Sequence, residues 1–132
     1  MKRSTAYYQH RKMIKQLDEH NGKFRPTKQD VEEWFDILNE QIFGNKLPDF
    51  TYLRIGRPRN AHAFFTHWHD KKETELWISE YFPSKKLFVE ILAHEMIHLF
   101  QYHYNEPLGH GPSFWVWRDL FNIKGIDLHK AA

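Results

Sequence analysis

The sequence predicts an α+β domain. Three short segments of strand character stand together between stretches whose apolar residues recur at helical spacing, and 132 residues suit one hydrophobic core rather than two. A chain that is 41% hydrophobic and 17% aromatic is globular rather than disordered.

Residues 4–19 read as a first helix, with Ala6, Met13, Ile14 and Leu17 on one side and Arg11, Lys12 and Lys15 on the other, ended by Asn21-Gly22. Arg25-Pro26-Thr27 restarts the chain. Thr27 suits an N-cap and Asp30 the first turn of a second helix, which carries Val31, Trp34, Phe35, Leu38 and Ile42 at helical spacing. Gly44 is expected to close it in the left-handed conformation. Residues 51–55, 61–68 and 74–79 then read as strands, separated by Gly56-Arg57-Pro58-Arg59-Asn60 and by Asp70-Lys71-Lys72. In meander order they need a helix across one face. Pro83-Ser84 opens that helix, with Ser84 as N-cap, and it should run to about His103. After a loop over 105–111, Pro112 should start a last helix carrying Phe114, Trp117, Leu120 and Phe121. The expected order is α-α-β-β-β-α-α in a single domain over 1–132.

The long central helix carries the chemistry, as His94-Glu95-Met96-Ile97-His98. Histidines four apart lie one above the other on one helix face, about 5–6 Å between Cβ atoms, a separation that lets both imidazoles reach one metal at ~2.0–2.1 Å. Glu95 is about 100° round the helix, too offset for a natural ligand but within reach of a water at the metal. Ten histidines make a fortuitous match easier, so the context matters. Val89, Leu92, Met96, Leu99 and Phe100 cluster away from the histidine pair, which should therefore face a cleft or solvent.

Catalytic zinc usually has three protein ligands and one open position. The elongated metzincin pattern would need Gly at 101 and His at 104, where the chain has Gln101 and Tyr104. His103 is about 140° round the helix from His98 and cannot join the pair. Glu106 could reach back from the loop, and Asp119 has roughly the sequence distance of a glutamate-type third ligand. His110, between Gly109 and Gly111 just before a helix, suits a bend that returns its ring to the first two.

With Gly109-His110-Gly111-Pro112-Ser113-Phe114 following it, the motif resembles the SprT-like metallopeptidase domain (SprT/Spartan family). Trp34-Phe35-Asp36-Ile37-Leu38-Asn39 through Leu47-Pro48 resembles that family's leading helix and its exit, and Leu76-Trp77-Ile78-Ser79 the strand before the zinc helix. The resemblance covers about 31–122, which leaves residues 1–24 as an appended N-terminal helix. It implies a zincin-like α+β fold, His110 as third ligand, one Zn²⁺ per chain and a protease, with relatives that degrade proteins crosslinked to DNA. The larger members carry cysteine-dependent or C-terminal extensions. This chain has no cysteine and reads as the catalytic core alone.

The mechanism expected is zinc-assisted hydrolysis, with His94, His98 and His110 as neutral ligands and Glu95 as general base. A covalent route lacks its nucleophile, since there is no cysteine and no serine in a triad context. Tyr102, Tyr104 and His62 are candidate donors to the oxyanion, and Glu90, Glu106 and Asp119 candidate carboxylates behind the ligand rings. His62, His67 and His69 lie on or beside the second strand, with His67 and His69 on one face; they suit a second metal or a substrate contact, and an exposed hairpin pair is the simpler account. Trp68, Trp77, Trp115 and Trp117 suit either a core or stacking on nucleic-acid bases, and Lys2, Arg3, Arg11, Lys12, Lys15, Lys23, Arg25, Lys28, Arg57 and Arg59 either a solvated surface or phosphate. The third strand, as an edge, could pair with an extended substrate. The expected partners are a protein or peptide and single-stranded or damaged DNA, without a membrane, for a cytoplasmic monomer. A nucleic-acid-binding module with little proteolysis and a zinc hydrolase of non-peptide amides are the competing functions.

Overall fold

The structure, a computed structural model, describes residues 22–131. The helix expected over 4–19 lies outside the described residues. Helix α1, Lys28–Gln41, begins where the sequence places it. The Thr27 hydroxyl accepts from the Asp30 N–H at 3.1 Å, and the Asp30 carboxylate accepts from the Thr27 N–H at 2.9 Å, so two orphan donors are satisfied reciprocally. Val31, Trp34, Phe35 and Leu38 form its buried face. The helix ends at Gln41, and both Gly44 and Asn45 take positive φ in the turn that follows. That turn is pinned by the buried amide of Asn39, which donates to the Leu47 carbonyl at 3.0 Å and accepts from the Leu47 N–H at 3.1 Å.

Strands β1 (Tyr52–Gly56), β2 (Ala63–Trp68) and β3 (Glu73–Ser79) form one sheet in the order β1-β3-β2. This corrects the expected meander. Strand β3 is central, parallel to β1 and antiparallel to β2, so β3 has no free edge for a substrate. The burial of the strands agrees with this, because Thr74, Leu76 and Ile78 are all enclosed on the inner face of β3. The segment after β1 crosses the end of β3, and only then does the β2–β3 hairpin form, with Lys72 at positive φ.

Helix α2, Lys85–His103, has Ser84 as N-cap, its hydroxyl accepting from the Leu87 N–H at 3.1 Å. It lies between the sheet and α1 and is buried on every side from Phe88 to Ile97. The single apolar stripe expected from the sequence is therefore too narrow a description. Ile91, Ala93 and Ile97 are enclosed as well, which marks a central helix rather than a surface one.

The last predicted helix is two short ones, α3 (Pro112–Trp115) and α4 (Arg118–Ile123). The backbone tightens between them to an i−3 bond, Trp117 N–H to the Phe114 carbonyl at 3.3 Å. Phe114 and Phe121 still point into the core from either side of this break, so apolar spacing alone does not reveal it. After α4, Gly125 takes φ +82° and the Ile126 N–H returns to the Phe121 carbonyl at 3.1 Å. This cap turns residues 126–131 back along α2. Among the described residues no helix is long and apolar enough to cross a membrane.

Candidate metal centre

Helix α2 stacks the two motif histidines one turn apart, and their Nε2 atoms lie 3.3 Å from each other. His110 enters from the bend after Gly109, which holds φ +129°, and places its Nε2 3.2 Å from His98 and 3.3 Å from His94. The ring protons of the first two are on the far side. His94 Nδ1–H donates to the His129 carbonyl at 2.6 Å, and His98 Nδ1–H to Gln101 Oε1 at 2.9 Å. Their Nε2 atoms thus carry lone pairs and cannot hydrogen-bond to each other. Three nitrogens at ~2.0–2.1 Å from one ion, spread at tetrahedral angles, would stand about 3.3–3.4 Å apart. The triangle has that size, and the three donor atoms lie close enough together to hold a metal ion.

One aromatic ring supports all three imidazoles. Phe114, fully buried, meets His94 and His110 edge-on at 4.9 and 4.7 Å and lies stacked on His98 at 5.6 Å. This explains why a phenylalanine follows the third histidine by four residues. Gln101 ties the loop to the helix. Besides accepting from His98, its amide donates to the Gly109 carbonyl and to Ser113 Oγ, each at 3.1 Å. Ser113 Oγ donates onward to the Pro107 carbonyl at 2.7 Å.

Burial sets the electrostatics. It pushes His94 down to about 3, helped by the neighbouring His98 and His110, against the opposing bond to His129. It lowers His98 and His110 too, so all three rings are neutral near pH 7, the form in which an imidazole can bind a metal. Glu95 is 2% exposed with an oxygen 4.0 Å from His94 Nε2, and desolvation raises its pKa to about 8. His94 and Glu95 are thus enclosed, and with His98 they form the floor of the cleft that the histidine pair was expected to face.

A cleft of about 570 Å³ opens onto this group, walled by Ala63, Phe65, His67, Leu108 and Lys130. The other candidates lie elsewhere. Tyr104 donates its hydroxyl to the Lys46 carbonyl at 2.7 Å, His62 stacks on Phe82 at 5.3 Å, and Tyr102 packs on His67 and His69 at 4.8 and 5.1 Å. None of the three lines the cleft. Glu106 gives its backbone N–H to the Gln101 carbonyl at 2.8 Å, Asp119 is exposed at the start of α4, and neither carboxylate joins the cluster. Glu90 bonds residues 127 and 129 rather than a ligand ring. The orienting groups are a carbonyl and an amide, not the expected carboxylates. Gln101 was findable, since a residue three after His98 shares its helix face. The His129 carbonyl has no side-chain signal. His67, read as an exposed hairpin residue, has a half-buried ring on the cleft wall, its Nδ1 enclosed without a hydrogen-bond partner and its pKa lowered by burial and by His69.

The fold and the site together define an α+β domain in which two histidines of the central helix and a third from the bend after it lie close enough to hold a metal, beside a buried glutamate. The chain belongs to the SprT-like family, whose model matches residues 31–127. That family is associated with metalloprotease-like activity. No curated protein matches the chain.

The two buried groups make opposite demands on the metal-free protein. The folded state keeps His94 unprotonated down to about pH 3, whereas an unfolded histidine takes a proton near 6.5, so this ring lowers stability as pH falls below 6.5. Glu95 holds its proton in the folded state up to about pH 8 but loses it near 4.5 when unfolded, so its contribution falls as pH rises through that window. From pH 6.5 to 8 the Glu95 contribution falls by up to about 2 kcal/mol at ~1.36 kcal/mol per pH unit, which outweighs the opposing last ~0.4 kcal/mol from His94. Chelator-treated protein should therefore melt several degrees lower at pH 8 than at pH 6.5. Equal or higher melting at pH 8 would contradict the burial of an unpaired Glu95.

Proposed function

We propose that the protein is a zinc-dependent metalloendopeptidase that hydrolyses peptide bonds in flexible or DNA-associated proteins. The observation that carries this reading is the triangle of Nε2 atoms beside a desolvated carboxylate, on a cleft large enough for a peptide. His94, His98 and His110 would hold the ion, and two of these rings have their tautomers already set by His129 and Gln101. When bound, zinc supplies Lewis acidity, lowers the pKa of a water from ~15.7 towards ~7, and by its charge favours the ionised form of Glu95. Glu95 takes a proton from the attacking water and returns it to the departing amine. Its desolvated position makes it a stronger base than a carboxylate in water, suited to work near neutral pH.

Strand β2 supplies the place for substrate. Its outer edge is unpaired among the described residues, and Ala63, Phe65 and His67 line the cleft. An extended peptide added to that edge would run past the histidines, whereas a compact protein would not fit. The chain would act as a cytoplasmic monomer.

The alternative, a nucleic-acid-binding module with little proteolysis, draws on the outer face of the sheet. There Arg54 lies 3.9 Å over the Trp77 ring, with Tyr52, Phe64 and Trp68 exposed around it. Zinc-loaded protein mixed with an unfolded protein, with and without single-stranded DNA, separates the readings. Cleavage in either arm supports the peptidase, and cleavage only with DNA supports DNA-associated substrates. Binding of DNA without cleavage in both arms would overturn the peptidase in favour of the module.

A further inference from the structure

The first ligand ring is not positioned by its own helix. Its Nδ1–H is taken by the carbonyl of His129, from the segment that α4 and Gly125 turn back along α2. That segment is fastened one helical turn before His94, at Glu90, which is 4% exposed. Glu90 Oε2 accepts from the Asp127 N–H at 2.6 Å, and Oε1 from His129 Nε2 at 3.0 Å. Lys86 Nζ closes the arrangement, 3.2 Å from Glu90 and 3.2 Å from Asp127. The carboxylate therefore grips the segment at two residues, and the second of these carries the carbonyl that meets His94.

Resting on the metal-site reading above, we infer that Glu90 and residues 127–129 form a latch that sets the His94 ring for metal binding, with Glu90 as a positioning residue. A carboxylate only 4% exposed is costly unless its oxygens are bonded, and the donors here come from that segment and from Lys86. The Nδ1–H bond fixes the tautomer that leaves Nε2 bare and makes the imidazole more basic. Coupling runs both ways. An ion on Nε2 makes Nδ1–H a better donor, so metal and docked segment strengthen each other. Lys130, the next residue, lines the cleft, so metal occupancy also firms one wall of it.

The test uses the full chain, the variants Glu90→Gln and His129→Ala, and zinc alone as probe. His129→Ala removes a half-exposed side chain and keeps the backbone carbonyl, so it decides the matter if Glu90→Gln does not fold. Zinc affinity is measured by competition with a chromophoric chelator, and backbone amide exchange over 126–130 is followed with and without zinc. The latch predicts lower affinity in each folded variant, by more than twofold and at most the roughly 10–100-fold that follows outright loss of a group orienting a ligand, because the His129 carbonyl is loosened rather than removed. It also predicts that zinc slows exchange at Asp127 in the wild type and does so much less in the variants. A purely structural role for Glu90 would not make that protection depend on zinc. Wild type that binds zinc while His129→Ala binds it within twofold, or zinc without effect on Asp127 exchange, would overturn the latch alone. Wild type that binds no zinc would overturn the metal reading and the latch with it.

Discussion

Glu95→Gln should retain one zinc per chain and lose peptide cleavage by about 10²–10⁴-fold or more, the range attributed to a general base. The substitution keeps the shape of the side chain and leaves the three Nε2 atoms untouched, so metal content isolates the proton-transfer role. The same variant has a second signature. Its amide does not ionise, so the metal-free protein should no longer lose stability between pH 6.5 and 8, as the wild type should with a Glu95 pKa raised to about 8. Metal content by mass spectrometry, cleavage rate, and melting at the two pH values check these outcomes on one sample. Cleavage at the wild-type rate would remove Glu95 from the mechanism.

His98→Ala and His110→Ala should both lose the metal and all cleavage, but at different cost to the fold. His98 is the vertex 3.2–3.3 Å from both other nitrogens and is also the partner of the buried Gln101 amide. Removing it takes that partner from Gln101 Oε1, which keeps the Gly109 N–H at 3.3 Å, and the lost hydrogen bond should cost about 0.5–1.5 kcal/mol in the metal-free protein. His110 is exposed, so its replacement should leave metal-free melting almost unchanged. Denaturant unfolding in chelator, beside metal content, separates the two. Equal destabilisation by both variants would contradict the role assigned to Gln101.

The parts legible in the sequence were those encoded locally. Thr27 with Asp30, and Ser84 before its apolar run, marked helix starts because a cap needs specific side chains within three residues. The pairing of His94 with His98 followed from helical period, and His110 from glycines that permit a sharp bend. Non-local arrangement was not legible. Strands β1, β2 and β3 carry similar alternation whether β3 is central or at an edge, so their order depends on the chain path after Gly56 and not on residue type. The break between α3 and α4 was hidden because Phe114 and Phe121 keep helical spacing across it. The carbonyl of His129 is the plainest case, since every residue has one and only the returning segment brings this one to His94. Glu90 was picked out as a carboxylate behind the ligands, but its hold on residues 127 and 129 is a tertiary fact.

The central claim is that His94, His98 and His110 bind one ion as a set. Native mass spectrometry after zinc loading and removal of excess metal measures this directly, on the wild type and on His110→Ala. The account predicts one zinc per wild-type chain and none on the variant. Zinc retained at full stoichiometry by His110→Ala, or none on the wild type, would contradict it.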